Sequence, residues 1–457
     1  MVKKIRNCIR ADRISSLWRM IHHHVRHAFS ICLLVLSCSS WAWCPANAAE
    51  EAIKKTPIDR LNELGYGTVS GKLQLLTMGR GGNLRSPDID EDAYSSSLAF
   101  SLNYKTPTYQ GVSLGAQFIH AWDLGEGGTI DIEEGPAWFL SNSGFTLLND
   151  AHIDYNFTHL GLAKTLLRVG RIPLNLDFAP SYAIRQKEQA YEAVTLSSQD
   201  IPGVDLSLGH IERYSSWSSR TRTDSNVITY EFIDVADTEN VPYSTSGMQF
   251  ASIAYNGLPH TSLTVYDFFG QDLYNTAGFK AAYTIGSGDS FQTILKAGYS
   301  NQRDVGCFSS DGGGEVESDV YDLSIQFKIG DFSLEPGFFG VAGDEAKNNY
   351  HVPFRTNFTV DPLMMWYPRV FGGGSDSFYL KSTYKWRNTS FYMLYVLTKT
   401  AEFIDHGSLD QEIDLVVGQK LWTHWSVAIK GAYGVRDVGI GSDWHESDLR
   451  LFIAYNF

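Results

Sequence analysis

The chain ends on Leu449-Arg450-Leu451-Phe452-Ile453-Ala454-Tyr455-Asn456-Phe457, a run that alternates with a period of two. Every odd-numbered position in this run is apolar or aromatic, and the last residue is a phenylalanine. Apolar alternation over strands of about ten residues, with aromatic side chains near the strand ends, is typical of bacterial outer-membrane β-barrels. The alternative is a soluble β-sandwich whose final strand buries one face.

Alternating segments of the same kind recur along the whole chain. Short turns rich in Gly, Asn, Asp and Pro alternate with long polar segments, which include 78–93, 123–147, 214–246, 302–317 and 342–376. We count about eighteen strands between residues 67 and 457. Val227–Val235 would be a nineteenth, but bacterial single-chain barrels use even strand numbers, so we assign it to a folded outer loop. The sequence therefore predicts an all-β fold, a transmembrane antiparallel barrel with short periplasmic turns and long extracellular loops.

Composition argues against several other classes of protein. Asp and Glu number 51 against 37 Lys and Arg, for a formal net charge of −14, whereas a nucleic-acid-binding protein needs a basic surface to displace counterions. An aromatic content of 13% argues against a disordered chain. After residue 48 no apolar run approaches the ~18 residues of a membrane-spanning helix.

The first 48 residues have the order of a secretory signal peptide. Basic residues between Lys3 and Arg26 precede the apolar stretch 28–36, and Ala46-Asn47-Ala48 forms an A-x-A cleavage site. A single transmembrane anchor is the alternative, but the apolar stretch is about half of the ~20 residues that a spanning helix needs. Met20 is an alternative translation start. We expect residues 1–48 to be removed on export, 49–66 to form a short periplasmic segment, and 67–457 to form a single barrel in the bacterial outer membrane.

The number of strands also indicates a class of function. A barrel of about 16–18 strands encloses an aqueous channel, whereas about eight strands would be filled by side chains. A Lys or Arg that faces lipid near the bilayer midplane costs roughly 2–4 kcal/mol, so basic residues interleaved with apolar ones should face the lumen. This alternation predicts inward carboxylates at Asp154, Asp322, Glu412 and Asp414. It also predicts pore-lining, substrate-guiding positions for Lys72, Arg168, Lys296, Lys381, Lys430 and Arg450.

Segment 172–189 differs in composition from the other long segments. It follows the strand that ends in Leu167-Arg168-Val169-Gly170-Arg171, and it mixes apolar residues with charged ones, in contrast to the Gly- and Ser-rich outer loops. A loop with apolar residues of its own can pack against the inside of the wall. We expect this segment to fold inward as a constriction that places Arg171, Arg185 and Lys187 near the narrowest point.

Part of the chain resembles the OprD-like outer-membrane porins. The resemblance rests on Leu167-Arg168-Val169-Gly170-Arg171, on Tyr191-Glu192-Ala193-Val194-Thr195-Leu196, on Ser198-Gln199-Asp200-Ile201-Pro202-Gly203, and on the similar stretch 102–116. It is specific over about residues 90–200 and otherwise rests on architecture and the terminal Phe457. It implies an eighteen-stranded, substrate-preferring diffusion channel with an inward third loop and a ladder of basic residues that guides carboxylate-bearing nutrients. By position in the motif, Arg168, Arg171 and Arg185 would belong to that ladder.

These observations predict an outer-membrane porin that gives passive, partly selective diffusion of small hydrophilic solutes, with a preference for anionic nutrients. The alternative is a surface-exposed barrel that acts mainly as an adhesin or structural interaction protein. An enzyme is disfavoured because no Ser/His/Asp set or carboxylate pair is evident at the loop bases, and we expect no cofactor and no metal site. Expected partners are outer-membrane lipid and lipopolysaccharide, the solutes, and the barrel assembly machinery through Phe457, but no nucleic acid. The sequence leaves monomer and homotrimer open.

Overall fold

The structure is a computed structural model, and part of the chain is described by it. The described residues are 57–82, 91–128, 144–181, 185–216, 221–222, 228–229, 232–239, 241–286, 291–310, 314–343, 345–352, 354, 370–401, 407–437 and 444–457. The predicted signal peptide at 1–48 and residues 49–56 of the predicted periplasmic segment lie outside them.

Eighteen antiparallel strands form one closed barrel, which confirms the predicted fold class. β1 pairs with β18 from Lys72 opposite Asn456 to Gly82 opposite Glu446, and this pairing closes the ring. In chain order the strands are β1 (Thr68–Gly82), β2 (Glu91–Lys105), β3 (Val112–Gly128), β4 (Phe145–Asn156), β5 (Thr165–Ile172), β6 (Ala190–Ser198), β7 (Val204–Ser215), β8 (Met248–Tyr255), β9 (Thr261–Gly270), β10 (Tyr274–Ile285), β11 (Phe291–Asp304), β12 (Glu317–Ile329), β13 (Phe332–Val341), β14 (Asp376–Trp386), β15 (Thr389–Lys399), β16 (Leu409–Lys420), β17 (Trp425–Asp437) and β18 (Trp444–Asn456).

The connections differ in length between the two ends of the barrel. At one end, hairpins close through turns as short as 330–331 and 387–388, whereas segments such as 216–247 and 342–375 connect strands at the other end. The loop assignment of Val227–Val235 agrees with two short pairings, of Ile228–Thr229 with Thr221–Arg222 and of Ile233–Asp234 with the end of β7. The long segments give one end of the barrel enough chain to fold back into the interior.

One short α-helix, α1 (Pro57–Glu63), precedes β1. The Asn62 side chain joins this helix to the first strand, because its Nδ2 donates to Val69 O at 3.0 Å and its Oδ1 accepts from Val69 N at 2.6 Å. Among the helices in the described part of the chain, none is long and apolar enough to cross a membrane.

Side chains alternate between the two faces of the wall. The outward side chains of Val265 and Phe378 are 62% and 59% exposed. The residues that follow them, Tyr266 and Tyr379, point inward and are each 3% exposed. Leaving apolar surface in water costs about 25 cal/mol per Å², so an outer face of this kind is stable only against hydrocarbon. The outer surface of the barrel therefore has the character of a lipid-facing wall.

The last residue of the chain packs where the barrel closes. Gly71 N donates to Phe457 O at 2.9 Å, and Phe457 N donates to Gly71 O at 3.0 Å. A Cβ atom at position 71 would lie 2.3 Å from the Phe457 ring and 2.6 Å from Ser101 O, so only glycine leaves room for that ring. The terminal aromatic residue is thus part of the closing seam.

Candidate functional site

The segment between β5 and β6 crosses the interior of the barrel. On one side Gln186 contacts Gln74 on β1 and Ser97 on β2. On another side Asp177 accepts a hydrogen bond from Lys280 on β10 at 2.5 Å. Because β1 and β10 are half a turn apart in a ring of eighteen strands, these contacts lie on opposite walls. The segment therefore narrows the lumen between them.

Gln186 holds this crossing segment to the wall with both ends of its amide. Its Nε2 donates to Ser97 O at 3.0 Å and to Ser97 Oγ at 2.5 Å, and its Oε1 accepts from Gln74 Nε2 at 2.9 Å. Gln74 Nε2 also donates to Arg185 O at 3.1 Å. Gln186 is 4% exposed, so water cannot readily replace these bonds. This contact could not be predicted from the sequence, because a glutamine in a polar loop is ordinary.

Aromatic side chains fix the remainder of the crossing segment. The Phe178 ring lies 5.3 Å from the Phe268 ring on β9 and 6.2 Å from the Tyr350 ring. Tyr191 at the start of β6 donates from its hydroxyl to Pro180 O at 3.0 Å. The described part of the crossing segment is thus held by a cluster of rings inside the barrel.

A second long segment, between β13 and β14, also reaches into the interior. Its His351 binds Gln302 on β11, donating from N to Oε1 at 2.8 Å and accepting from Nε2 at 3.0 Å. Its Phe354 carbonyl accepts from Gln189 Nε2 of the crossing segment at 3.1 Å. The signal available in the sequence was the aromatic content of this loop, Tyr350, Phe354 and Phe371, which is high for a solvated segment.

Lys187 is buried in the crossing segment among neutral oxygen atoms. Its Nζ donates to Asn149 Oδ1 at 3.3 Å, to Glu188 O at 3.0 Å and to Ser215 O at 3.4 Å. Burial lowers the pKa of Lys187 to about 7, and the Glu188 carboxylate opposes this shift. An exposed lysine has an ordinary pKa of 10.5, so the anchored segment binds this proton less readily than a released one would.

The constriction should consequently depend on pH. Between about pH 7 and pH 10.5 a released Lys187 is charged and an anchored Lys187 is neutral, so each rise of one pH unit favours anchoring by up to about 1.4 kcal/mol. Below pH 7 both forms carry the proton and this dependence disappears. We expect single-channel conductance to fall when the pH is raised from about 6 to about 9. Lys187→Met should remove most of that change, and an unchanged pH profile in this variant would contradict the assignment.

Five charged side chains meet where the crossing segment approaches β1 and β18: Arg80, Arg185, Glu446, Asp448 and Arg450. Arg450 binds Asp448 through two bonds, Nε to Oδ1 at 2.9 Å and NH2 to Oδ2 at 3.1 Å. Arg80 Nε lies 3.6 Å from Oδ2 of the same carboxylate and 2.5 Å from Oε1 of Glu446. Burial and the nearby charges of Arg450 and Arg80 lower the pKa of Arg185, while the charge of Asp448 raises it. The loop arginine therefore lies within electrostatic reach of the wall arginines.

Most of the wall cations predicted from alternation are held by carboxylates. Arg168 binds Asp154 with Nε to Oδ1 at 2.6 Å, which joins a predicted cation to a predicted inward acid. Lys296 and Lys381 share the carboxylate of Glu335, at 2.9 Å and 3.3 Å. Glu335 shares a face with Ser333 in a run whose even positions, Leu334 among them, are apolar, so the alternation could have found it. Asp448 is in phase with Arg450 and could have been found in the same way. Asp322, Glu412 and Asp414, predicted to point inward, are all 7% exposed or less.

Lys72 and Lys430 differ from the other predicted wall cations. In the part of the chain that the structure describes, neither ammonium contacts a carboxylate. Lys430 instead lies over the ring of Phe452, with Nζ 5.0 Å from the ring centroid. Both side chains are half-buried and point to the inner face, Lys72 in phase with Gln74 and Lys430 opposite Arg450 on β18. Glu188 of the crossing segment lies within electrostatic reach of Lys72 and partly offsets its charge, whereas Lys430 lies within reach of the like charge of Arg450. Both lysines add positive charge to the inner wall.

Arg171 is placed away from the lumen. It is two residues from Val169, which is 41% exposed on the outer face, and alternation puts both side chains on that face. Its Nε donates to Glu192 Oε1 at 3.0 Å, and its guanidinium carbon lies 4.4 Å from the centroid of the Phe232 ring. Arg171 is three positions after Arg168, and an odd spacing in a strand turns the two side chains to opposite faces. This differs from the pore-lining position expected from the motif.

Comparisons with known proteins agree with this architecture. The family described as outer membrane porin, OprD family, matches residues 151–388. OpdK of Pseudomonas aeruginosa, whose crystal structure contains vanillate, is similar with a TM-score of 0.64 and 16% identity, over 85% of this chain and 98% of that chain. OccAB4 of Acinetobacter baumannii has a TM-score of 0.66 and 17% identity, and a BenF-like porin of Pseudomonas fluorescens Pf-5 has 0.65 and 15%, each over 85% of this chain and 98% of that chain. A comparison with curated proteins finds no match. The structural likenesses, at these identities, establish the fold alone.

Proposed function

Because the chain belongs to the OprD family of outer-membrane porins, we propose that it is a passive, partly selective diffusion channel for small hydrophilic solutes that prefers carboxylate-bearing anions. The observation that carries the proposal is a narrowed lumen whose wall holds Lys72 and Lys430 without carboxylate partners in the described residues. A cation that is not neutralised attracts an anion, and side chains fixed on strands hold that attraction in place.

Two further observations support an anionic preference. Lys430 lies within electrostatic reach of Arg450 on β18, and Arg185 of the crossing segment lies within reach of Arg450 and Arg80, although Asp448 and Glu446 hold the two wall arginines. OpdK, one of the structurally similar channels, was crystallised with vanillate, which is a carboxylate. Aliphatic and aromatic carboxylates therefore form the first panel of candidate solutes.

We infer export by a signal peptide over 1–48, assembly through Phe457, and contact with lipid and lipopolysaccharide through the apolar outer face. The chain would act as a monomer or homotrimer and would supply positioning and an electric field, without a chemical step or cofactor. Four other cations of the wall would contribute little to the electric field in the lumen, because a carboxylate holds each of them. These are Arg168, Lys296, Lys381 and Arg450.

Recordings in a planar lipid bilayer test the function directly. The purified barrel should give discrete conductance steps, and a KCl gradient should give a reversal potential that indicates preference for chloride. Proteoliposomes should swell faster in carboxylate salts than in neutral sugars of equal size. Absence of discrete steps from folded, heat-modifiable protein would reject the channel and favour an adhesin, whereas steps with a preference for potassium would reject only the anionic preference.

A further inference from the structure

Three consecutive hairpins repeat the same inward pair at the end of the barrel that carries the short turns. In β12–β13, β14–β15 and β16–β17 the pairs are Lys328 opposite Ser333, Lys385 opposite Ser390 and Lys420 opposite Ser426. In each hairpin the lysine lies at or next to the end of the strand that runs into the turn. We call Lys328, Lys385 and Lys420 the vestibule lysines.

The vestibule lysines face the mouth of the lumen. Lys385 is in phase with Lys381, whose ammonium contacts the buried Glu335, and Lys420 is in phase with the buried Asp414. Lys328 is paired with Ser333, which is 7% exposed on the same inner face. All three lysines are exposed, as expected for side chains at the rim of a water-filled opening.

Their positive charge is not compensated by the groups around them. The residue opposite each lysine is a serine, and among the described residues none of the three ammonium groups contacts a carboxylate. Glu335, the nearest wall acid along β13, is already shared by Lys296 and Lys381. The turns themselves carry one acid, Asp331 after β12, and one further cation, Arg387 after β14. The rim of the barrel at the short turns from β12 to β17 is therefore net positive.

The spacing of the lysines lets their fields act together. Neighbouring strands are about 4.8 Å apart, so lysines on every second strand are separated by about 10 Å across the ladder. This is close to the Debye length of about 10 Å at 0.1 M salt and well above the 3 Å at 1 M. The combined field should be strong in dilute salt and screened in concentrated salt.

We propose that the vestibule lysines form an anion-collecting site at the short-turn mouth, an inference that rests on the proposed channel function. This site makes the current differ between voltages of equal size and opposite sign. Small anions such as chloride or carboxylates would accumulate at this mouth and not at a neutral one. Anions driven in through it then start from a raised local concentration, so current is larger at that polarity. The vestibule lysines would attract anions that arrive from the surrounding solution and anions that leave the lumen.

Single-channel recordings in symmetric KCl test the site. At about 0.1 M KCl, currents at equal and opposite voltages should differ by about twofold, and at about 1 M they should become nearly equal. The triple variant Lys328→Gln, Lys385→Gln, Lys420→Gln should lose most of the asymmetry at low salt. The larger current divided by the smaller one has the same value whichever way the barrel inserts into the bilayer.

Lys164→Gln is the matched control. Lys164 is also exposed at the short-turn end, but it lies between β4 and β5, where its backbone N donates to Asp200 Oδ1 at 3.0 Å. This variant should keep the asymmetry. Equal loss in the control and the triple variant, or full asymmetry in a triple variant that still gives steps, would overturn the anion-collecting site while leaving the channel function standing. Absence of steps in the unmodified protein would instead reject the proposed function.

Discussion

Replacing Lys72 and Lys430 together with glutamine should lower the ratio of chloride to potassium permeability by about tenfold. A unit charge at about 4 Å in water is worth about 1 kcal/mol, and two such charges act on an anion that passes both. The tenfold change corresponds to about 1.4 kcal/mol, which allows for incomplete approach and for screening. Reversal potentials in a KCl gradient measure the ratio, and swelling rates in carboxylate salts should fall in parallel.

The matched control for this prediction is Lys296→Gln. Lys296 is also an inward lysine of the wall, but its ammonium lies 2.9 Å from Glu335, and that carboxylate keeps Lys381 at 3.3 Å when Lys296 is removed. A neutralised ion pair projects little field, so this variant should change the permeability ratio by less than about twofold. If Lys296→Gln and the double variant shift the reversal potential equally, the distinction between paired and unpaired cations has no functional weight.

The period of two predicted much of the barrel from sequence because side chains in a strand alternate strictly between faces. Lys72, Lys430 and Arg450 were placed on the inner face by counting from apolar neighbours, and the structure has them there. The same rule separates Arg168 from Arg171, which the motif grouped together. Where a family pattern and the alternation disagree, the strand geometry decides which face a side chain occupies.

The ion pairs could not be predicted in the same way. Whether Lys296 meets Glu335 depends on the register of strands β11 to β14, and register is set by turn geometry and by hydrogen bonding between strands. At Pro336, which has no N–H to donate, the pairing of β13 with β12 is interrupted while the register is the same on both sides. The inward path of the segment holding His351 and Phe354 depends on contacts between residues far apart in the chain, which a single sequence does not display.

Replacing Gln186 with alanine should raise single-channel conductance about twofold and weaken discrimination among solutes. The substitution removes a side chain that makes three bonds of 3.0 Å or less to Gln74 and Ser97, all in a buried site. Each buried bond contributes about 0.5–1.5 kcal/mol net, so the loss favours release of this part of the crossing segment by about 2–4 kcal/mol. The opposite contact, between Asp177 and Lys280, remains and should keep the segment from leaving the lumen altogether.

Gln419→Ala separates this effect from the general loss of a glutamine. Gln419 lies near a short turn on β16, out of phase with the inward Asp414. Its Nε2 donates to the adjacent Lys420 carbonyl at 2.9 Å and its Oε1 accepts from Thr389 on β15, so both contacts stay within the wall. Its removal should leave conductance unchanged.

Because the crossing segment is tied on two opposite walls, release on one side widens the lumen on the side of β1 and β2, next to Arg450. The Gln186→Ala channel should therefore admit larger solutes yet keep its preference for anions, and a channel that lost that preference would show that the anionic selectivity depends on the anchored segment and not on the wall lysines.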